Sequence, residues 1–322
     1  MECKICKSKI TKHFANKNGY VFYRCIKCKT IFLNHLPSVK KLNNYYSSQF
    51  SYTDGLKNEI LIRKRSKQIL MHIKKYLPYG KTLCDVGSGY GFFLNEAHAA
   101  QYKIFGIEPS QQLVRHAKKH FGVHTFLGSL TKYTNSQKKQ FDIVTCIHVI
   151  EHVTNPKQFI TLLLKIVKPG GLLYIETPNS DSHLLYVERE SYTFLIPPDH
   201  LWLFSQQSIK QLLPKYSSII SINTYSYSEH LMGIIKRIIK SLSLSERSEE
   251  STERNEEKKR EEFTLSNSKG LDPSANHFRM IQKFKKNLSY LLFDRTLAPF
   301  LTGTLNWNHK GSILELYIRK NK

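Results

Sequence analysis

LCDVGSGYGFFL, residues 83–94, carries an apolar run into an acid and then into glycines at 87, 89 and 91. KTLCDV reads as a short buried strand, residues 87–91 as its exit loop, and FFLNEAHAA as a helix that follows directly. Strand, glycine loop and helix open a nucleotide-binding βαβ unit, whose ligand lies over the carboxyl end of the strand. The loop is therefore read as a cofactor cradle. A dinucleotide fingerprint needs its third glycine at residue 92, which is Phe92, so the pattern is instead D-x-G-x-G-x-G with Asp85 ahead of the glycines.

The rest of the chain follows in an order that suits this opening. YKIFGIEPS reads as a second strand ending in Glu108, 23 residues beyond Asp85, and VHTFLGSL as a third. FDIVTCIHVIEHV supplies a fourth strand and its exit loop, and KPGGLLYIETPN a turn and a fifth strand. NPKQFITLLLKIVK, with a proline near its start and apolar residues at helical spacing, is the crossover helix that keeps the sheet parallel. IISINTYSYS and GSILELYIRK read as the last two strands, far apart in sequence, so the segment between them is an insertion.

In these motifs the chain resembles the class I S-adenosylmethionine-dependent methyltransferases. The resemblance implies an α/β fold, a Rossmann-like seven-stranded sheet whose last strand is antiparallel. It also implies a cofactor set. Asp85, Gly87, Gly89 and Gly91 form the cradle, and Glu108 takes the two ribose hydroxyls with Pro109 beside it. Ser129 and Leu130 lie near the adenine, and Ile147 and His148 at the fourth strand end.

Cys3, Cys6, Cys25 and Cys28 form CKIC, eighteen residues, then CIKC, the two-knuckle spacing of a zinc ribbon. Four thiolates leave zinc no open position, so the metal is read as structural. Cys84 and Cys146 sit in apolar runs as core residues. The expected organisation is a zinc ribbon over 1–36, a helical connector over 37–80, the methyltransferase core over 81–230, a helical insertion with a low-complexity segment over 231–306, and a final core strand over 307–322.

The formal charge of +24 is unevenly spread: +14 over residues 1–80, +3 over 81–230 and +7 over 231–322. Basic flanks around a nearly neutral middle suit anionic partners, such as phosphate-bearing substrates, nucleic acid or a lipid surface. Within the insertion, LMGIIKRIIKSL is a basic amphipathic helix, either a cap over the substrate pocket or a peripheral membrane contact through 231–242. SERSEESTERNEEKKREE has no apolar residue to bury. With neither a signal peptide nor an apolar run of about 18 residues, the chain is expected to be cytoplasmic, with a peripheral place at the membrane left open.

A sulfonium methyl is already activated, so the enzyme has to align an acceptor and take its proton. Candidate bases cluster beyond the strand ends: His152 first, then His200, with Glu151, His148 and Asp199 nearby. IEHVTNP resembles the E-H-V segment of the ubiquinone-biosynthesis O-methyltransferases, where a carboxylate, a glutamate and a histidine are associated with a divalent metal. Here His148 stands three residues before Glu151. Zinc knuckles, the tyrosine-rich YYSSQFSY with Tyr45, Tyr46 and Tyr52, and HLWLFS together resemble the zinc-ribbon methyltransferases encoded with bacterial surface-polysaccharide enzymes. That group implies a small-molecule or glycan acceptor, a sugar or sugar-linked metabolite methylated on oxygen or carbon. Two alternatives stand beside it: an RNA methyltransferase using the ribbon and the basic surface, and a non-catalytic binding protein that keeps the fold. Against base methylation, the exit of strand four is IHVIEHV rather than an N-P-P-Y-like loop or a Pro-Cys pair.

Overall fold

The computed structural model describes residues 1–38, 41–42, 56, 58–226, 306 and 310–321. Tyr45, Tyr46 and Tyr52, the amphipathic stretch 231–242 and the charged stretch 243–275 lie outside the described residues. The chain divides into two units, Met1–Tyr225 with Asn308–Lys322, and Ser226–Trp307, and every strand and helix named below belongs to the first.

The first strands, β1 (Thr11–Lys17) and β2 (Tyr20–Cys25), are an antiparallel hairpin. Its two-residue turn is Asn18-Gly19, with φ of 51° and 76°. Both are left-handed, as the turn that matches strand twist requires, and Asn and Gly are the residues that accept it. Strand β3 (Ile31–Leu33) pairs with β2 and is buried along its length.

After helix α1 (Glu59–Tyr76) come β4 (Thr82–Val86), α2 (Phe92–Ala99), β5 (Lys103–Glu108), α3 (Gln111–Phe121) and β6 (Thr125–Leu127). Then follow α4 (Leu130–Ser136), β7 (Phe141–Ile147), a single 3-10 turn (Ile150–His152), α5 (Pro156–Lys165) and β8 (Val167–Pro178). Helix α6 (His183–Glu188), the short β9 (Trp202–Leu203) and α7 (Gln206–Lys210) precede β10 (Ser217–Tyr225) and β11 (Ile313–Lys320). Helix starts and stops obey local chemistry. Ser110 accepts a hydrogen bond from the Leu113 amide at the head of α3, Gly122 closes it at φ 63°, and Asn155-Pro156 opens α5.

The seven-stranded sheet has the order β10-β11-β8-β7-β4-β5-β6. Strands β4 to β8 pair in parallel, and β11 runs antiparallel to both β8 and β10. The central strands are buried on both faces, which is why LCDV and IVTC are nearly unbroken apolar runs. The order reverses between β4 and β7, the point at whose strand carboxyl ends open α/β sheets hold their ligands. KPGG, read as a turn, lies inside β8. The ladder passes from Phe141↔Val167 to Ile143↔Leu172, so 168–171 bulge out, with Gly170 at φ 75°.

The N-terminal strands continue into the core. Strand β9 pairs with β3 to complete a four-stranded sheet, β1-β2-β3-β9. No helix among the described residues is long and apolar enough to cross a membrane.

A buried charge network ties α1 to the sheet. Arg65, 8% exposed, reaches Glu176 on β8 at 2.9 Å and also Glu315 on β11. Tyr174 donates to Glu176 at 2.5 Å and Tyr225 donates to it at 2.7 Å, while the Arg65 guanidinium lies 3.7 Å from the Tyr225 ring centre. Burial alone would raise the Glu176 pKa, but Arg65 and His148 outweigh it and hold it down to about 2. Because the folded pKa lies below the unfolded value of about 4.3, this carboxylate stabilises the fold above that pH. Its contribution fades as pH falls from about 4 toward 2. Arg65→Met leaves two carboxylates buried without their cation and is expected to cost about 3–5 kcal/mol in chemical denaturation at neutral pH. The deficit should shrink in the same measurement as the pH approaches 3.

Candidate active site

The cradle sits between the carboxyl ends of β4 and β5. Asp85, 3% exposed, accepts from Thr145 Oγ1 at 2.6 Å across the β4–β7 ladder. Burial raises its pKa to about 7 against that hydrogen bond. Gly87, Gly89 and Gly91 all have positive φ, 79°, 52° and 84°. A Cβ on Gly87 would lie 2.4 Å from Val149 Cγ2, and one on Gly91 2.8 Å from Ala117 Cβ. At Gly89 a Cβ would meet nothing, so the loop presents bare backbone to open space there.

Glu108 closes the second side. Its carboxylate accepts from the Gly89 amide at 3.0 Å and the Ser110 amide at 2.9 Å, and burial raises its pKa. Two of roughly four acceptor positions on the carboxylate are thereby used, and two remain for a diol. Pro109 follows on the exposed rim. Ser129 caps α4 by accepting from the Lys132 amide, and Leu130 is buried behind it. The Gly128 amide donates to the Glu108 carbonyl at 3.0 Å, which draws the Ser129 segment to the same rim. Gly89 and Glu108 are thus hydrogen-bonded into one cradle, open at Gly89 and with Asp85 at its base, and these residues fit an adenosyl group with its ribose toward Glu108.

Ile147 ends β7 and His148 begins its exit in the left-handed region, at φ 53°. That conformation costs a non-glycine residue about 1–2 kcal/mol. Two carboxylates hold it in place: His148 lies 3.2 Å from Glu151 through Nδ1 and 3.4 Å from Glu176 through Nε2. Burial would lower its pKa, but these partners raise it to about 10, so the ring is an imidazolium at neutral pH. It is unsuited to act as a base.

His152 is placed differently. Its Nδ1 donates to Asp199, 2.9 Å from the carboxylate and 3.0 Å from the carbonyl, which leaves Nε2 as the lone-pair nitrogen. Burial would lower its pKa, and Asp199 with Glu151 reverses this to a net rise. His200 donates from Nδ1 to the Phe194 carbonyl at 2.7 Å, and burial with the charge of His152 lowers it to about 4. Glu151 is fully buried and accepts from Thr177 Oγ1 at 3.0 Å. The donor atoms of Glu151, His152 and His200 all lie within 4.8 Å of one another, and the His152 and His200 rings meet edge to face at 4.7 Å.

The four N-terminal thiols form a second centre. Cys3 and Cys28 sulfurs are 3.6 Å apart, Cys6 and Cys25 3.5 Å, and all four lie within 4.8 Å of one another. Zinc–sulfur bonds of about 2.3 Å in a tetrahedron place sulfurs about 3.8 Å apart, so the donor set fits zinc. None of the six cysteines is in a disulfide. Lys7 and Lys29, just after each CxxC, take left-handed φ of 61° and 63° and turn the knuckle back. The neighbouring thiols drive the pKa values apart, with Cys28 lowered to about 5 through Cys3.

Several residues escaped the sequence reading: Glu176, which holds His148, Arg65, Glu315 and Tyr225 in the network around Glu176, and Phe194, stacked on the His148 ring at 5.8 Å. Their signal was weak. One of two arginines in IRKRSK and single acids within apolar strands become informative only once α1, β8 and β11 are brought together.

Residues 60–216 match a family model described as a methyltransferase domain. The ubiquinone biosynthesis O-methyltransferase of Thiobacillus denitrificans is 30% identical over 126 residues, which covers 37% of this chain and 54% of that protein. The mitochondrial one of Dictyostelium discoideum is 32% identical over 142 residues, covering 38% and 44%. The chain spans about half the length of these relatives. Among solved structures, the plantazolicin methyltransferase BamL, in complex with a triazolic desmethylPZN analog and SAH, is similar with a TM-score of 0.51. At 15% identity, covering 88% of this chain and 95% of that one, the likeness is one of fold.

Gly87→Ala places a methyl group against Val149 at a positive φ and should weaken S-adenosylhomocysteine binding more than tenfold in a calorimetric titration. Gly122→Ala has the same left-handed φ but faces open space. It should cost only about 1 kcal/mol of stability and leave that titration unchanged.

Proposed function

We propose, from the match of residues 60–216 to a methyltransferase-domain model and the class I sheet order, that the protein is an S-adenosylmethionine-dependent enzyme that methylates an oxygen of a small acceptor, a sugar or sugar-linked metabolite. The observation that carries this reading is the juxtaposition at the strand ends. A glycine cradle closed by Glu108 adjoins, through the Gly87–Val149 contact, the turn that bears His152 and its partner Asp199.

S-adenosylmethionine, when bound, supplies the activated methyl group. Gly87 to Gly91 and Glu108 would hold its adenosyl part, and the carboxylates of Asp85 and Glu108 suit a cationic ligand. His152 is the base: Asp199 fixes its tautomer so that Nε2 carries the lone pair, and stabilises the charge that arrives with the acceptor's proton. His200, neutral because its pKa is near 4, keeps a second imidazole beside it without adding charge. His148 stays protonated and serves to orient Glu151. Zinc on Cys3, Cys6, Cys25 and Cys28 is part of the same reading and is structural. The basic ribbon, with Lys4, Lys7, Lys9, Lys12, Lys27 and Lys29 all exposed, supports a phosphate-bearing acceptor such as a nucleotide sugar or a lipid-linked sugar.

The test is to incubate the protein with methyl-labelled cofactor and separate fractions of nucleotide sugars, lipid-linked glycans and RNA. Label in a sugar fraction is the expected outcome, and label in RNA alone overturns the acceptor class. With the labelled acceptor, His152→Ala should lower kcat about a hundredfold or more at unchanged cofactor affinity. A base must be unprotonated, so kcat should rise with pH through a limb above about 6.5, the direction in which Asp199 moves His152. Asp199→Asn removes that charge and should move the limb to lower pH while lowering the plateau.

A further inference from the structure

The cysteine-bearing ribbon and the turn that carries His152 are joined by one hydrogen-bonded path. Strand β9 begins two residues after His200 and pairs with β3, Ile31 opposite Leu203 and Phe32 opposite Trp202. Between them, Leu201 works as a rivet. Its carbonyl accepts from the Leu33 amide at 3.1 Å on the ribbon side, and its amide donates to the Glu151 carbonyl at 2.9 Å in the 3-10 turn that carries His152. Trp202, 1% exposed, donates from Nε1 to the Val153 carbonyl at 2.8 Å, on the residue after His152.

The other end of the path is the second cysteine knuckle. Ser205 Oγ, fully buried, donates to the Cys28 carbonyl at 2.6 Å, and Ser180 Oγ donates to the Lys29 carbonyl at 2.9 Å. Ser180 also donates its amide to the Phe204 carbonyl at 2.9 Å. Arg24 on β2 clamps the same seam through the Ser180 carbonyl at 3.1 Å and Asp181 at 2.9 Å. By contrast, the hydrogen bonds that shape the cradle run from Gly87 and Ser88 to Ile107, and from Gly89 to Glu108, all within the core sheet.

We propose that the N-terminal ribbon is a positioning element for methyl transfer: through Ser205, β3 and Leu201 it sets the place of His152 against Asp199, independently of the cofactor cradle. This rests on the methyltransferase reading given above. A ribbon that served only to recognise the acceptor would need no buried hydroxyl on a knuckle carbonyl, and no shared backbone bond with the turn bearing the base. The consequence is a split in function. Loosening the knuckle should slow transfer and leave cofactor binding intact.

The experiment uses the full chain with Ser180→Ala and Ser205→Ala combined, which breaks both grips on the knuckle without touching a cysteine. Trp307→Phe makes Trp202 the sole tryptophan and a reporter of the seam. The double variant should bind S-adenosylhomocysteine within twofold of the parent, show red-shifted Trp202 emission, and lose kcat at least tenfold with the labelled acceptor fraction. Ser205→Thr, which keeps the hydroxyl, should return both emission and kcat. Cys6→Ser should give the same split more strongly, and if it does not fold, the serine variants still decide the matter. Emission and kcat equal to the parent's overturn the proposal. So does a loss of S-adenosylhomocysteine affinity in step with kcat, which would make the ribbon a general stabiliser. A parent that labels no fraction overturns the catalytic reading instead, and is told apart because the Trp202 shift does not depend on turnover.

Discussion

The missing Cβ of Gly87 is the constraint on which the site depends. Val149 fills the volume that a side chain would have taken, and Val149 is the residue between His148 and the turn that carries Glu151 and His152. The exits of β4 and β7 are therefore packed one against the other at the reversal of strand order. Any residue but glycine would push the two exits apart and separate the glycine loop from the turn that carries His152. Parallel pairing of β4 with β7 brings the strands together, and the glycine lets their loops close the last few ångströms.

Electrostatics then sorts the imidazoles into different roles. His148, His152 and His200 gather around Glu151 and Phe194, yet each meets a different environment. His148 lies between two buried carboxylates and is held charged. His152 leans on the largely buried Asp199 carboxylate, with Glu151 behind it, and is moved upward. His200 meets a carbonyl and a neighbouring imidazole, and is held neutral. The same residue type thus stands in three electrostatic settings, and the difference lies in which acid is within about 3 Å.

How much of this could be read from the chain follows from the range of each interaction. The strand–glycine–helix opening, the acid at the end of β5, the crossover helix and the two cysteine pairs are local patterns, and each lies where the pattern implied. The grouping of Glu151, His152 and His200 was legible because both motifs follow strand ends, which the fold gathers at one edge. What was hidden is non-local. Arg65 meets Glu315 across 250 residues of chain, and neither neighbourhood says so. KPGG looked like a turn because proline and glycine dominate local propensity, whereas pairing with β7 draws the segment into the sheet as a bulge. The two residues of β9 are too few to carry a periodic signal, although they join the ribbon to the site.

The pairing of β10 with β11 bears on how this chain tolerates variation in length. Tyr225 stands opposite Ile313, and the Gly311 amide donates to Thr224 Oγ1, so the chain leaves the sheet and re-enters it at neighbouring rungs. An excursion whose two ends are already clasped adds little closure entropy as it grows, about 0.6 kcal/mol for each doubling. Gains and losses of sequence there are nearly free for the sheet, and this junction is a natural port at which a foreign module could be grafted or the native one trimmed to a tight hairpin.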